Sequence, residues 1–478
     1  MPLVDDKLPS LTPIKADWIK KLIKTPSVLK SLIDQYESPI NIHNSSVFIQ
    51  NYEQFHRCLE NYGLEHQIFF ARKANKCKKL VEKACQANIS VDTASYRELK
   101  QCIDLRCDPS KLILTAAIKS KKLINLAIDK EVLIILDNED ECILVEEIAS
   151  AKNKKAKIGF RVSGFEYKGE KLYSRFGFDI DDVFSFLINS VGENKKYQSL
   201  DYHGIHFHLN GYSTLQRAAA ISSCITLSDQ LKNEGFHTRF IDIGGGFLMN
   251  YLEQKEEWET FHQLLLEAQR NEIKPITFQN NGLGYQLINE EIEGKLQSYP
   301  YFNECSKTNF LKNILDVKPN GRQKTIAQEL QTRSIKLQME PGRSLLDQVG
   351  ITIARVAFRK LDQNNDWLIG LEMNMTQMHS SSADFLLDPE VIYLNDTPET
   401  KEVEVYFTGA YCLERDLLLK RKIRLEKLPQ VGDLVVFFNT AGYMMHFFES
   451  EAHLFELATN LFVNNSSNDY TTSDFVVD

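Results

Sequence analysis

Eight short β-prone runs, at residues 66–72, 89–93, 111–115, 132–136, 157–162, 204–209, 239–243 and 335–339, recur along the chain, most of them separated by stretches with helical patterning. This rhythm constrains the fold more than any other feature. The runs are continuously apolar rather than alternating, as Ile-Phe-Phe-Ala at 68–71 and Leu-Ile-Ile-Leu at 133–136 illustrate. Such strands are buried on both faces, which calls for parallel pairing covered by helices. Eight strand–helix units predict an α/β chain built on a closed (β/α)8 barrel, with an open doubly wound sheet as the alternative. The 478 residues exceed what one core usually serves, so the barrel should carry a second domain or an appendage.

A barrel places its chemistry at the C-terminal ends of its strands, and the chemically capable residues cluster there. Lys73 follows the first run, Asp92 ends the second, Arg161 lies in the fifth, His206 and His208 close the sixth, Gly244, Gly245 and Gly246 follow the seventh, and Glu340-Pro341-Gly342-Arg343 follows the eighth. Taken singly, each has a bland reading as a solvated lysine, a tight turn or a surface arginine. Their convergence on one rim is what carries weight. Three consecutive glycines let backbone N–H groups approach an anion, the loops after the last two strands often hold a phosphate, and Arg343 adds charge-assisted hydrogen bonds. A lysine at a strand end can form an imine with an aldehyde once its amine is freed. With Glu340 to keep a pyridine nitrogen protonated, these parts describe a pyridoxal 5′-phosphate site.

Other classes fit less well. His203, His206 and His208 could ligate a metal, since alternate residues such as 206 and 208 share a strand face, but no further His and Asp ligand set stands on later strands, so no metal is expected. The net charge of −9 argues against nucleic acid as a partner. No apolar stretch of 18 residues and no export signal are present, so a cytoplasmic chain with no membrane association is expected. The nine cysteines (58, 77, 85, 102, 107, 142, 224, 305 and 412) are dispersed and never in Cys-x-x-Cys spacing, which predicts reduced thiols, all but one of them packing residues.

In the same order along the chain, Phe70-Ala-Arg-Lys-Ala-Asn75, Gly204-Ile-His-Phe-His-Leu209, Asp242-Ile-Gly-Gly-Gly-Phe247, Glu340-Pro-Gly-Arg343, Gly409-Ala-Tyr-Cys-Leu-Glu-Arg-Asp416 and Ala441-Gly-Tyr443 resemble the motifs of the fold-type III pyridoxal-phosphate decarboxylases, the family of ornithine and diaminopimelate decarboxylases. The resemblance covers residues from about 38 to about 447. It implies Lys73 as the Schiff-base lysine, His208 as the imidazole stacked on the cofactor ring, and Glu340 as the carboxylate opposite the pyridine nitrogen. Gly244, Gly245, Gly246, Gly342 and Arg343 become the phosphate cradle, approached by Tyr443. Asp92 and Arg161 match positions near the lysine and the ring hydroxyl, and Cys412 matches the proton-donating cysteine. A head-to-tail homodimer with shared active sites is also implied, the Cys412 loop completing the partner's site. Residues 1–47 would be N-terminal helices and a strand joining the β-domain, 48–348 the cofactor-binding barrel, 349–464 the C-terminal β-domain, and 465–478 a disordered tail.

Departures from the family pattern concentrate where a substrate would be read. His208-Leu209-Asn210-Gly211 stands in place of His-x-Gly-Ser, leaving Asn210 or Ser213 to replace a phosphate-binding hydroxyl. Leu413 occupies the position of an acidic residue, with Glu414 next and Asp416 two places beyond, and the run Gln377-Met378-His379-Ser380 replaces an arginine that would hold a distal carboxylate. Glu414, Asp416 and His379 are therefore the substrate-reading candidates. Segment 247–334 is long for the family, with 279–285 reading as a loop. The implied activity is α-decarboxylation of a basic amino acid or its N-acyl conjugate, for example a citryl amino acid of carboxylate siderophore biosynthesis. The alternatives are diaminopimelate or ornithine decarboxylation proper, a racemase or epimerase, a non-catalytic homologue, and a His-x-His metal-dependent barrel hydrolase.

Overall fold

The computed structural model describes residues 8–380, 385–394, 401–464 and 469–478. The chain divides into two compact units. One comprises Phe48–Leu248 and Cys305–Leu345; the other comprises the residues up to Val47, Met249–Glu304 and Leu346–Asp478.

The first unit is a closed barrel of eight parallel strands: β1 (His66–Ala71), β2 (Ser90–Thr93), β3 (Leu112–Leu114), β4 (Leu133–Leu136), β5 (Ala156–Ser163), β6 (Leu200–His206), β7 (Phe240–Asp242) and β8 (Lys336–Met339). Pairing of β5 with β6 and of β8 with β1 closes the ring. Seven strands fall within a residue or two of the sequence expectation. β6 instead begins and ends earlier than 204–209, because its polar opening Asp201-Tyr-His pairs with β5 across an irregularity between Tyr202 and Gly204. His208 therefore lies in the loop beyond the strand.

Side-chain size sets the barrel interior. Phe240 on β7 packs with Phe69, Ile113 and Ile135, and β5 and β6 leave room for it by carrying glycine. A Cβ on Gly159 would lie 3.0 Å from the Phe240 ring, and one on Gly204 would lie 2.7 Å from it and 2.5 Å from the Phe240 carbonyl. The helices outside start at fixed points because Ser95, Ser120, Asn138 and Ser213 each cap one by accepting from the N–H three residues on. Cys85, in the last turn of Lys78–Gln86, is joined to Cys107, beyond Tyr96–Asp104. This corrects the expectation of thiols throughout: two helices adjacent in the barrel's outer layer bring together cysteines whose spacing of 22 residues carries no motif.

The second unit is a β-domain centred on Gly350–Leu361, which pairs with Ile40–His43, Trp367–Leu371 and Leu434–Phe437. The N-terminal strand Ile40–His43 also lies parallel to Thr459–Val463, so it joins the domain as expected. Trp18, Ile19, Leu22, Leu29, Leu32 and Ile33 of the two N-terminal helices pack onto that sheet. Two boundaries differ from the sequence reading. Met249–Glu304 groups with the β-domain rather than the barrel: Phe278 N–H donates to the Lys420 carbonyl at 2.7 Å, Lys422 N–H to the Ile276 carbonyl at 2.9 Å, and Glu257 accepts from Thr12. The expected tail is ordered in its described part, where Phe475–Val477 adds an antiparallel strand to Thr459–Val463 and seats Phe475 in the core. Residues 465–468 of that tail lie outside the described residues. No helix among the described residues is long and apolar enough to cross a membrane.

Gly204→Ala should destabilise the barrel by about 1–3 kcal/mol, the usual cost of overpacking. Chemical denaturation checks this, and a Phe240→Leu change in the same chain should recover part of the loss.

Candidate active site

Every barrel strand delivers a polar or charged group to the C-terminal mouth. Lys73 sits in the turn Arg72–Ala74 directly after β1, with Nζ 3.4 Å from Asp92 Oδ2 and 39% of its side chain exposed. Asp92, on β2, is fully enclosed and accepts a short hydrogen bond from the Thr115 hydroxyl after β3. The Thr115 carbonyl accepts from Arg161 Nη2 at 2.5 Å, and Arg161 Nη1 pairs with Asp137 Oδ1 at 2.9 Å. Asp137 is held in turn, its N–H donating to Glu141 Oε2, which also binds the buried Lys119 at 2.8 Å. A hydrogen-bonded chain thus fixes Asp92 and Arg161 from strands β2 to β5.

The other half of the mouth is built on β6 to β8. His206 Nε2 lies 3.0 Å from Glu340 Oε1, and both are buried. A ring nitrogen of His206 and carboxylate oxygens of Asp242 and Glu340 all fall within 4.8 Å of one another. Asp242 Oδ1 accepts from the Gly244 N–H at 2.8 Å, leaving Oδ2 without a partner among the described residues. Each glycine of the triplet serves a close approach. A Cβ on Gly244 would meet His208 Nδ1 at 2.9 Å, one on Gly245 the Glu340 carbonyl at 2.5 Å, and one on Gly246 the Arg217 guanidinium at 2.7 Å. Gly244 and Gly246 also have φ of +65° and +78°, which other residues rarely adopt. Among the described residues, the amides of Gly245 and Gly246 donate to no protein acceptor.

Charge is concentrated here at a cost. Burial and mutual repulsion push the Asp92, Asp242 and Glu340 carboxyls up, Asp242 well above the usual carboxylate range, and the Lys73 and Arg161 charges offset this only in part. Burial drives the His206 imidazole well below its ordinary value. His208 is lowered to about 3 by burial in the recess and by the Lys73 and Arg217 charges, although its ring keeps solvent-accessible surface. Both histidines are therefore neutral at neutral pH.

Of the sequence-predicted residues, the barrel brings together Lys73, Asp92, Arg161, His208, Gly244, Gly245, Gly246, Glu340, Gly342 and Arg343. Cys412, Glu414, Asp416, His379 and Tyr443 belong to the β-domain. Cys412 and Glu414 are exposed on one loop. Tyr443, at φ +74°, packs on Phe447, and Phe448 links Phe447 to His379. Asp416 corrects the expectation of a substrate reader: it is buried and its two oxygens accept from Met375 N–H and Tyr411 N–H, each at 2.7 Å. Gln377 is likewise committed, closing a capping box with Asn374. Asn210 is exposed, and Ser213 caps the helix Thr214–Asn233. Thr115, Asp137, Asp242 and Arg217 were not singled out from sequence. Asp242 stood inside the glycine motif; the others carry no local signal.

Fold and rim define a barrel enzyme organised around a lysine, a carboxylate cluster and an anion cradle. The family described as pyridoxal-dependent decarboxylase, pyridoxal binding domain, matches residues 48–290, half of the chain, and the chain belongs to that family. It is similar to an uncharacterised protein, y4yA, of Sinorhizobium fredii, 28% identical over 425 residues that cover 88% of this chain and 86% of that one. Diaminopimelate decarboxylase of Staphylococcus aureus is 20% identical over 87% of this chain and 86% of its own. Diaminopimelate decarboxylase of Helicobacter pylori, solved with L-lysine, has the same fold, with a TM-score of 0.67 at 18% identity over 94% of this chain and 95% of that one. The chain is thus a pyridoxal-phosphate-dependent amino-acid decarboxylase. The mouth fits the cofactor: two undonated amides lie on a glycine loop, an orphaned carboxylate oxygen stands on Asp242, and a lysine stands at the rim.

A buried carboxyl whose pKa is raised contributes full stability below its unfolded value near 4 and loses it as the pH climbs through the folded value. Asp242→Asn should therefore gain stability relative to wild type in the cofactor-free protein as the pH rises above about 4. Thermal unfolding measured across that rise checks it, and a difference independent of pH would contradict the raised carboxyl.

Proposed function

We propose that this decarboxylase removes the α-carboxylate of a basic amino acid or of its N-acyl conjugate, such as a citryl amino acid of siderophore biosynthesis. The observation that carries the reading is the β-domain loop at 411–416. Asp416 and Gln377 are spent on backbone groups, so Glu414 remains as the exposed carboxylate beside Cys412, with the half-buried His379 as a further polar contact. An exposed carboxylate and an imidazole suit the cationic end of a basic amino acid or the amide of its N-acyl conjugate.

When bound, pyridoxal 5′-phosphate supplies an aldehyde that captures the substrate amine and a ring that takes up the electrons left as carbon dioxide departs. Lys73 Nζ, beside Asp92, would be the amine that holds the cofactor aldehyde. Glu340, braced by His206, would pair with the ring nitrogen, and the neutral His208 would lie against the ring. Gly244, Gly245, Gly246, Gly342, Arg343 and Tyr443 would hold the phosphate, and Arg161 the ring oxygen. Cys412 Sγ carries the proton delivered to the α-carbon.

Cys412 shares its surroundings with an apolar surface. Leu413, Phe447, Phe448, Leu454, Phe455 and Leu457 are exposed on the β-domain, Leu454 to 93%. A patch of this kind marks an interaction surface, which supports a homodimer in which this loop faces the partner's cofactor.

Carbon dioxide release from amino acids and their citryl conjugates tests the substrate class. Lys73→Ala should fold normally and lose activity by at least about 10³-fold. Mixed with an equally inactive Cys412→Ala chain, it should regain up to about a quarter of wild-type activity, since half the random dimers then carry one intact shared site. No recovery on mixing would contradict site sharing.

A further inference from the structure

Arg217 lies in the first turn of the helix Thr214–Asn233, and only 1% of its surface is exposed. Its Nη2 donates to the carbonyls of Gly211 at 3.1 Å and Gly246 at 3.2 Å, and its Nη1 to that of Ile243 at 3.4 Å. Among the described residues Nε has no partner, and the guanidinium lies 5.8 Å from the centre of the Phe310 ring. Among the described residues no carboxylate pairs with it; Tyr212 is the one group whose charge favours its protonated form. Burial lowers it to about 10, so it remains a cation at neutral pH. Buried arginines are ordinarily paired, because an isolated charge taken out of water costs several kcal/mol and carbonyl dipoles return only part of that.

The three carbonyls belong to the two loops that form the cradle. Gly211 follows β6, and Ile243 and Gly246 bracket Gly244 and Gly245. Gripping those carbonyls fixes the peptide planes on either side of the glycine triplet, between which, among the described residues, the amides of Gly245 and Gly246 are left without a protein acceptor. Gly246 is glycine for the same reason, since a Cβ there would strike Nη2 at 2.7 Å. Cation, amides and missing counter-charge all ask for an anion at one place.

We infer that Arg217 is a positioning residue of the phosphate cradle, clamping the Gly211 and Ile243–Gly246 loops by their carbonyls and supplying from behind them a positive charge that the cofactor phosphate balances. The inference rests on the reading of Gly244, Gly245 and Gly246 as the phosphate site. It accounts for the departure at Asn210-Gly211: where a hydroxyl donor is missing from the loop, a buried guanidinium holds the loop's carbonyl instead.

The test compares dissociation constants of pyridoxal 5′-phosphate and of pyridoxal for the full chain, together with the thermal shift produced by inorganic phosphate. Wild type should prefer the phosphate ester and gain melting temperature with phosphate. Arg217→Met should lose about 30-fold of that preference, the scale of a lost charge-assisted interaction, with pyridoxal binding unchanged and the phosphate shift abolished. Arg217→Lys, which keeps the charge, should recover part of the preference, and Arg217→Gln should not; these two variants carry the test if the Met variant fails to fold. A preference and phosphate shift preserved in Arg217→Met and Arg217→Gln, even with lowered stability, overturns the role of Arg217 alone. A wild-type chain that binds pyridoxal as tightly as its phosphate ester removes the cradle reading and this inference with it.

Discussion

The structure depends on the burial of Asp92, Asp242 and Glu340 in one barrel mouth. Three carboxylates so placed repel one another and lose hydration, and left alone they would take up protons or open the barrel. What holds them is a set of partners around the same mouth. Lys73 and Thr115 act on Asp92, the Gly244 amide acts on Asp242, and His206 acts on Glu340. The compensation is incomplete. In the proposed cofactor site, a protonated pyridine ring would supply the missing cation at the carboxylate end, and a phosphate the missing anion at the Arg217 end.

Much of this was legible in the sequence because it is carried by local pattern. The strand rhythm survives because each run is apolar enough to read without its neighbours, and the rim residues sit within a few positions of a strand end. The glycine triplet announces itself by composition. The unread parts depend on distant partners. Arg217 is one charged residue in a helical turn, and its meaning lies in the carbonyls of Ile243 and Gly246. The early start of β6 reflects pairing with β5 that its own polar residues conceal. Cys85 and Cys107 meet because two helices are neighbours in the barrel's outer layer. Asp416 looks like a site residue by motif and position, yet its oxygens are consumed by backbone N–H groups that only the folded loop presents.

The two units also differ in what they define. The barrel carries the cofactor end of the chemistry, and its residues are fixed by hydrogen bonds that run from β2 to β5. The β-domain carries Cys412, Glu414, His379 and Tyr443 on loops whose apolar neighbours remain exposed. The proposed function puts substrate choice on these exposed loops, as loop-borne specificity on a rigid scaffold generally is.

The central claim is that Lys73 is the residue on which the cofactor rests. The direct measurement is reduction of the cofactor-loaded protein with borohydride, followed by peptide mass analysis. The phosphopyridoxyl group should be found on the peptide containing Lys73, and be absent from Lys73→Ala. A modification on another lysine, or none in the wild-type chain, would contradict the account.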